Sequence, residues 1–299
     1  MNDVIVTRDL GKRYGKVAAV DRLSVSIPEG SIYGLLGPNG AGKTTTLDVL
    51  MNLQAPTSGE AIVLGTSSRA LKGRAFERIG YLSEMQRYPD WMNVAQLLAY
   101  LKPFYPTWDE ARASELLEQF HLPTDRKLKQ LSRGTRMKAL LTSVMAYRPK
   151  LLVLDEPFSG LDPLTREELI GALLEAATET TVLLSSHDLA EIESFVTHVG
   201  YLSGGHLGFS EELPALTARF REITVTTDRP KLPEPWPTEW ICLERDKAWI
   251  RFVDTRFDPA RTDEGLHRRF PGATGIESQP MTLRSIFLAL ARSETRAEA

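Results

Sequence analysis

Residues 37–44, Gly37-Pro38-Asn39-Gly40-Ala41-Gly42-Lys43-Thr44, follow the spacing G-x-x-x-x-G-K-[ST]. Glycines at these intervals let backbone N–H groups turn inward around an anion without Cβ clashes. A helix beginning near Gly42 aims the positive end of its dipole at the same anion. Lys43 then reaches the β- and γ-phosphates of a nucleoside triphosphate, the Thr44 hydroxyl coordinates Mg²⁺, and Thr45 joins the phosphate-binding set. A second constellation, Asp155-Glu156, closes the apolar run Leu151-Leu152-Val153-Leu154. Asp155 is placed to hold Mg²⁺ through water, and Glu156 to orient or deprotonate the water that attacks the γ-phosphate. An adjacent glutamate favours hydrolysis over binding alone.

Such groups need strands that stop at one edge and helices that start there. Residues 32–36 form an apolar run leading into the glycine loop. Leu47, Val49, Leu50 and Leu53 carry a helix from Thr44 that ends at Pro56-Thr57-Ser58-Gly59. Residues 151–154 and 182–184 are wholly apolar, as expected of strands buried on both faces of a parallel sheet. The C-terminal edge of such a sheet is where open α/β folds bind ligands. Upstream, Val4-Ile5-Val6 reads as a short strand, and Leu23, Val25 and Ile27 alternate with polar residues before the turn Pro28-Glu29-Gly30, a half-buried antiparallel pattern. Residues 61–64 and 79–82 read as further strands, and the stretch near 90–150 as mostly helical. Past Phe220 come a strand at 223–227, a proline-dense connector at 229–237, a hairpin over 240–253 and a helix over 282–291 behind a Thr282 cap. Arg251, Arg256, Arg261, His267, Arg268 and Arg269 form a mildly basic stretch that reads as a solvated face.

The 299 residues allow two domains, or one with an appendage. With 36 basic residues against 39 acidic, the formal charge of −3 leaves no domain-wide basic field, so no nucleic-acid partner is expected. A hydrophobic share of 42% and a charged share of 25% suit a globular chain and exclude a disordered or fibrous one. The one cysteine, Cys242, cannot close an internal disulfide, which suits a reducing cytosol. No apolar run approaches the roughly 20 residues that span a bilayer, and no secretory signal is visible at the N-terminus. The expectation is a soluble, cytosolic protein.

Leu131-Ser132-Arg133-Gly134-Thr135 opens a helix with Met137, Leu140, Leu141, Val144 and Met145 on one face, upstream of Asp155. This resembles the LSGGQ signature of ATP-binding-cassette (ABC) ATPases. Ser159-Gly160-Leu161-Asp162 resembles their D-loop, His187 in Ser185-Ser186-His187-Asp188 their switch histidine, and Tyr14 their A-loop aromatic. The resemblance covers about residues 1–215, with the motifs in the family's order. It implies an α/β P-loop NTPase cassette: a mixed-sheet core, an antiparallel β subdomain and a helical subdomain. The expected boundaries are 1–218 for the ATPase domain, with the helical subdomain about 88–150, and 219–299 for a small α+β appendage that helps cassettes dimerise or regulates them. It further implies ATP and Mg²⁺ as cofactors and a second cassette, either the same chain or a different one, packed head to tail. Ser132 and Gly134 of one copy then touch the γ-phosphate held by Lys43 of the other, with Asp162 also counted among the nucleotide-binding residues. Tyr14 stacks on adenine, and Lys43, Glu156 and His187 form the catalytic set.

Two motifs depart from the family pattern. The signature has Arg133 for glycine and Thr135 for glutamine, but keeps Ser132 and Gly134, the two positions nearest phosphate. After Ile79-Gly80-Tyr81-Leu82 the family usually has a glutamine near position 84; here Glu84 stands there, with Gln86 two residues on. Glu84 is assigned the role, as a contact to nucleotide and Mg²⁺, and Gln86 is the alternative. Between Tyr88 and Trp108 lie Trp91, Met92, Val94, Leu97, Leu98, Tyr100, Phe104 and Tyr105, which serve either as the helical subdomain's core or as a groove for helices of a membrane protein. The resemblance implies a separate integral-membrane permease, with the chain peripheral on the cytoplasmic face of the membrane, and the wording is most like cassettes of bacterial multidrug or peptide exporters. The alternative is a non-transport ABC ATPase, a translation or DNA-repair factor. A single cassette, no long heptad array and no cysteine pairs count against it.

Overall fold

A computed structural model describes residues 2–83, 86, 88–228 and 232–297. The chain divides into two units, Met1–Ser210 and Glu211–Ala299. The first opens with β1 (Asp3–Tyr14), β2 (Val17–Leu23), β3 (Ser26–Pro28), β4 (Ile32–Leu36), α1 (Lys43–Leu50), β5 (Ser58–Val63), β6 (Thr66–Ser67) and β7 (Ile79–Ser83). Three helices follow: α2 (Val94–Leu101), α3 (Glu110–Gln119) and α4 (Arg133–Met145). The unit closes with β8 (Leu151–Asp155), α5 (Pro163–Ala176), β9 (Thr181–Ser186), β10 (His198–Ser203) and β11 (His206–Glu212), the last of which runs into the second unit.

Two sheets build the first unit. The smaller has the order β2-β1-β5-β6, with β3 also on β1, and its pairings are antiparallel. β1 runs twelve residues rather than the expected three, because register shifts at Leu10 and Lys12 let one strand serve β2 while its other edge serves β5. The larger sheet has the order β11-β10-β4-β9-β8-β7. Its strands β10, β4, β9, β8 and β7 are mutually parallel. Every residue of β4, β8 and β9 is buried, as expected of strands carrying the apolar runs 151–154 and 182–184 and covered on both faces. Ile5, Leu10, Leu23 and Ile27 of the small sheet pack with Leu47 and Leu50 of α1 and with Leu151, Val153 and Leu183 of the large one. One core therefore fixes both sheets around the helix that follows the glycine loop.

The helices α2–α4 occupy the stretch expected to be helical. Each has a side-chain cap: Asn93 with Gln96 in a reciprocal box, Asp109 onto the Arg112 N–H, and Ser132 onto the Thr135 N–H. The aromatic stretch is sorted between them. Met92, Val94, Leu97 and Leu98 are buried, and Tyr105 stacks on Tyr147 at 3.7 Å. Trp91, Tyr100 and Phe104 are 63%, 53% and 60% exposed. Among the described residues no helix is long and apolar enough to cross a membrane.

The second unit comprises α6 (Leu213–Arg219), β12 (Arg221–Thr227), β13 (Trp240–Arg245), β14 (Trp249–Asp254), α7 (Pro259–Arg269), β15 (Ala273–Pro280) and α8 (Leu283–Ala297). Its sheet, β13-β14-β12-β15, is antiparallel and buries Ile223, Val225, Ile250 and Phe252 with Leu266 and Phe270. Trp240 stacks on Phe252 at 4.3 Å. The division at Ser210 falls eight residues before the expected 218/219 boundary, since α6 belongs to this unit. Arg219 at its end pairs with Glu211 and bonds the Thr255 carbonyl, and its own carbonyl accepts from Phe257 N–H. Thr282 caps α8 by accepting from Ser285 N–H at 3.1 Å. Arg251 lies over Trp249, whereas His267, Arg268 and Arg269 are exposed in the last turn of α7, where the helix dipole favours cations. The Arg261 side chain lies outside the described residues.

Candidate functional site

Parallel pairing sets the site's geometry before any side chain is considered. β4, β8 and β9 are adjacent and in register, so the glycine loop after Leu36, the acids at the end of β8 and Ser186-His187 at the end of β9 emerge at one C-terminal edge. Gly37 and Gly42 are dictated by close approach. A Cβ on Gly37 would stand 2.1 Å from the Leu202 carbonyl oxygen, and one on Gly42 2.2 Å from that of Ala19. Gly42 also has φ 104°, the left-handed region, and precedes the first helical residue, Lys43. The loop thereby presents backbone donors at a helix start, the arrangement that binds phosphate.

Lys43 is 5% exposed and folds back over the loop. Its Nζ donates to the carbonyls of Gly37 at 2.8 Å and Pro38 at 3.3 Å, and it lies 3.2 Å from Glu156 Oε1. The other oxygen, Glu156 Oε2, is 2.7 Å from His187 Nδ1. Glu156 itself has φ 51°, an unusual conformation for a residue with a side chain. A cleft of about 520 Å³ is lined by Ala19, Asn39, Gly40, Ala41, Gly42, Lys43, Thr44, Thr45, Glu156, Ser159 and His187. Asp155 lies beside it, 5% exposed, with Oδ1 accepting from the Ser185 hydroxyl at 2.6 Å. The same Ser185 oxygen accepts from Glu156 N–H at 2.9 Å.

Other residues singled out in the sequence lie elsewhere. Tyr14 is 47% exposed at the end of β1, with Lys12 Nζ 5.0 Å from its ring centroid, and it is not among the cleft-lining residues. Ser132 and Gly134 sit at the N-terminus of α4, outside the cleft, where Gly134 leaves no space for a Cβ against Thr165. Asp162 caps α5. It accepts from the Thr165 N–H at 3.0 Å and hydroxyl at 2.7 Å, and these bonds hold its carboxyl below the ordinary range. Glu84 lies outside the described residues. Gln86 donates to the Tyr88 hydroxyl at 2.8 Å, while its buried Oε1 has no hydrogen-bond partner among the described residues.

Two further polar residues escaped the sequence reading. Ser185 pairs with Asp155 across β9 and β8, and the signal was the hydroxyl that directly follows the apolar run Val182-Leu183-Leu184. Asp48 lies one helical turn beyond Thr44 and accepts from the Tyr81 hydroxyl at 3.4 Å. Burial, and then the charge of Asp155, push its carboxyl above the ordinary range. Burial also pushes Tyr81 up to about 12. The site thus gathers one buried ammonium, a backbone anion cradle and a group of carboxylates. That donor set suits a polyphosphate together with a hard divalent cation held by oxygen.

Comparison with known proteins converges on the same chemistry. The ABC transporter family profile matches residues 20–159. The chain is 35% identical over 218 residues to the bacitracin transport ATP-binding protein BcrA of Bacillus licheniformis, covering 72% of this chain and 71% of that one. It is 31% identical over 296 residues to the Nod factor export ATP-binding protein I of Burkholderia pseudomallei, covering 95% of each. Among solved structures it matches an ATP-binding subunit of an ABC transporter with TM-score 0.66 at 24% identity, over 72% of this chain and 92% of that one. The dimeric bacterial ABC transporter cassette MJ0796 matches with TM-score 0.63 at 24% identity, over 70% of this chain and 98% of that one. The chain belongs to the ATP-binding subunits of ABC transporters, whose members hydrolyse ATP to power transport.

Proposed function

We propose that the cleft binds MgATP between residues 37–45 and the acids of β8, and that two cassettes complete one another's pockets. The observation that carries this reading is the convergence of Lys43 and His187 on the two oxygens of one carboxylate, Glu156, at 3.2 and 2.7 Å. The backbone from Gly37 through Pro38, Asn39, Gly40, Ala41 and Gly42, with Thr45, cradles the phosphates. Lys43 leaves Glu156 for the β- and γ-phosphates. Thr44 and Asp155 hold Mg²⁺, which supplies positive charge against the phosphate oxygens; Glu84 or Gln86 completes that set. Glu156, freed from Lys43, takes a proton from the attacking water, and His187 keeps its carboxylate oriented toward that water. Tyr14, half exposed, offers its ring to adenine.

In the second cassette, taken to be another copy of this chain, Ser132 and Gly134 bring the N-terminus of α4 to the γ-phosphate, with Asp162 nearby. Neither copy alone holds a finished pocket, so ATP joins the two and its hydrolysis releases them. Exposed Trp91, Tyr100 and Phe104 support docking of a permease on the α2 region. Relatives named for bacitracin transport and Nod factor export support an exporter, with the chain peripheral on the cytoplasmic face of the membrane, and they do not favour a translation or repair factor. The test is the mass of the full-length Glu156→Gln protein in solution. It is expected to double with MgATP and fall back without it, and a mass that stays single throughout contradicts the reading. Co-purification from membranes should recover a multi-span protein; ribosomes or DNA in its place would reject the transport role.

A further inference from the structure

Ser185 is fully buried on the central strand β9, between β4 and β8, following the apolar run Val182-Leu183-Leu184 and in register with Leu35 on one side and Asp155 on the other. A buried hydroxyl is tolerated only when its hydrogen bonds are made. Here it makes two, and both go to the hydrolytic acids. Its O–H donates to Asp155 Oδ1 at 2.6 Å, and its oxygen accepts from the backbone N–H of Glu156 at 2.9 Å. A serine has one proton to give, so the direction of this chain is fixed: Glu156 N–H to Ser185, Ser185 O–H to Asp155.

Both bonds have consequences for the acids. The first occupies Oδ1 of Asp155 and fixes the carboxylate's rotation, leaving Oδ2 without a hydrogen-bond partner among the described residues. The second pins the backbone of Glu156, whose φ of 51° is left-handed and needs support from its surroundings. From that backbone the Glu156 side chain leaves toward Lys43 and His187. We propose that Ser185 is a positioning residue for hydrolysis, its one hydroxyl aiming Asp155 at the metal ion and holding Glu156 in the conformation that serves the attacking water. This deepens the proposed function and rests on it.

The test compares full-length wild-type, Ser185→Ala, Ser185→Thr and Ser185→Cys proteins. Steady-state ATP hydrolysis gives kcat and KM, and a fluorescent ATP analogue titrated with and without Mg²⁺ gives binding apart from turnover. Ser185→Ala is expected to lower kcat about 10–100-fold, the usual loss when a partner of a metal ligand is removed. Metal-free nucleotide binding should stay within about twofold of wild type, while the Mg²⁺ needed for half-maximal enhancement rises. Ser185→Thr keeps the hydroxyl and is expected to restore most of both. A Ser185→Ala protein that matches wild type in kcat and Mg²⁺ response overturns the proposal, as does one that loses metal-free and Mg²⁺-dependent binding equally. Should Ser185→Ala fail to fold, Cys, similar in size but a weak donor, decides: low activity beside active Thr supports the role, and equal activity overturns it. Wild type assayed alongside separates the two failures, since no hydrolysis by wild type rejects the underlying site instead.

Discussion

Replacing Glu156 by glutamine removes a charge that competes with the nucleotide for Lys43. The two side chains are 6% and 14% exposed and 3.2 Å apart. At an effective dielectric of about 20, that separation of 3.2 Å corresponds to a gross attraction of about 5 kcal/mol. Lys43 recovers most of this on a phosphate, and His187 continues to bond the freed carboxylate, so the net penalty on binding is smaller, about 1–2 kcal/mol. Repulsion between Glu156 and the phosphates acts in the same direction. Glu156→Gln should therefore bind ADP about 5–30-fold more tightly than wild type while losing hydrolysis. ADP is the right probe because it cannot be turned over, so slower consumption of ligand cannot imitate tighter binding. Isothermal titration with ADP, with and without Mg²⁺, measures the difference. Unchanged or weaker ADP binding by Glu156→Gln would refute the idea that the ion pair opposes the nucleotide.

Three other outcomes follow from the geometry. Asp48 has a raised folded-state pKa, so the folded chain keeps a proton that the unfolded chain has released; stability then falls as pH rises from the ordinary aspartate value near about 3.9 through the raised one. Asp48→Asn should raise the melting temperature in EDTA above that window and lose the gain below it, and a gain that ignores pH contradicts the assignment. Gly42→Ala forces a Cβ to 2.2 Å from the Ala19 carbonyl oxygen at φ 104°, and should abolish nucleotide binding with a stability loss of at least about 1 kcal/mol, read by titration and thermal unfolding. Serine at Trp91, Tyr100 and Phe104 together should leave the melting temperature and ATP hydrolysis of the isolated chain unchanged and weaken co-purification with a membrane partner. A large stability loss instead would place these rings in the core.

The parts legible in the sequence are those where chemistry dictates residue type. Gly37 and Gly42 meet carbonyl oxygens so closely that no other residue fits, which is why the spacing alone locates the loop. Asp155-Glu156 was visible because a strand buried on both faces has nowhere to put two acids except its end. The aromatic stretch was not sortable, since a ring at helical spacing carries no sign of what it faces. Tyr105 is held by Tyr147, far along the chain, while Phe104 beside it is exposed. β15 was missed because six of its eight residues are exposed and the two half-buried ones, Ala273 and Ile276, are three positions apart, so the strand shows no alternation of apolar and polar positions. Ser185 was likewise hidden, for its role depends on register with Asp155 across two strands thirty positions apart.

Whether each copy finishes the other's pocket is tested most directly by mixing two inactive forms. Lys43→Ala lacks the phosphate-binding lysine, and Ser132→Arg blocks the signature helix; each alone is expected to hydrolyse no ATP. Mixed in equal amounts, they should recover about a quarter of the wild-type rate, because half of the dimers pair the two forms and each such dimer has one intact pocket of two. A mixture as inactive as its components, at concentrations where wild type hydrolyses ATP, would contradict shared pockets between two copies of this chain.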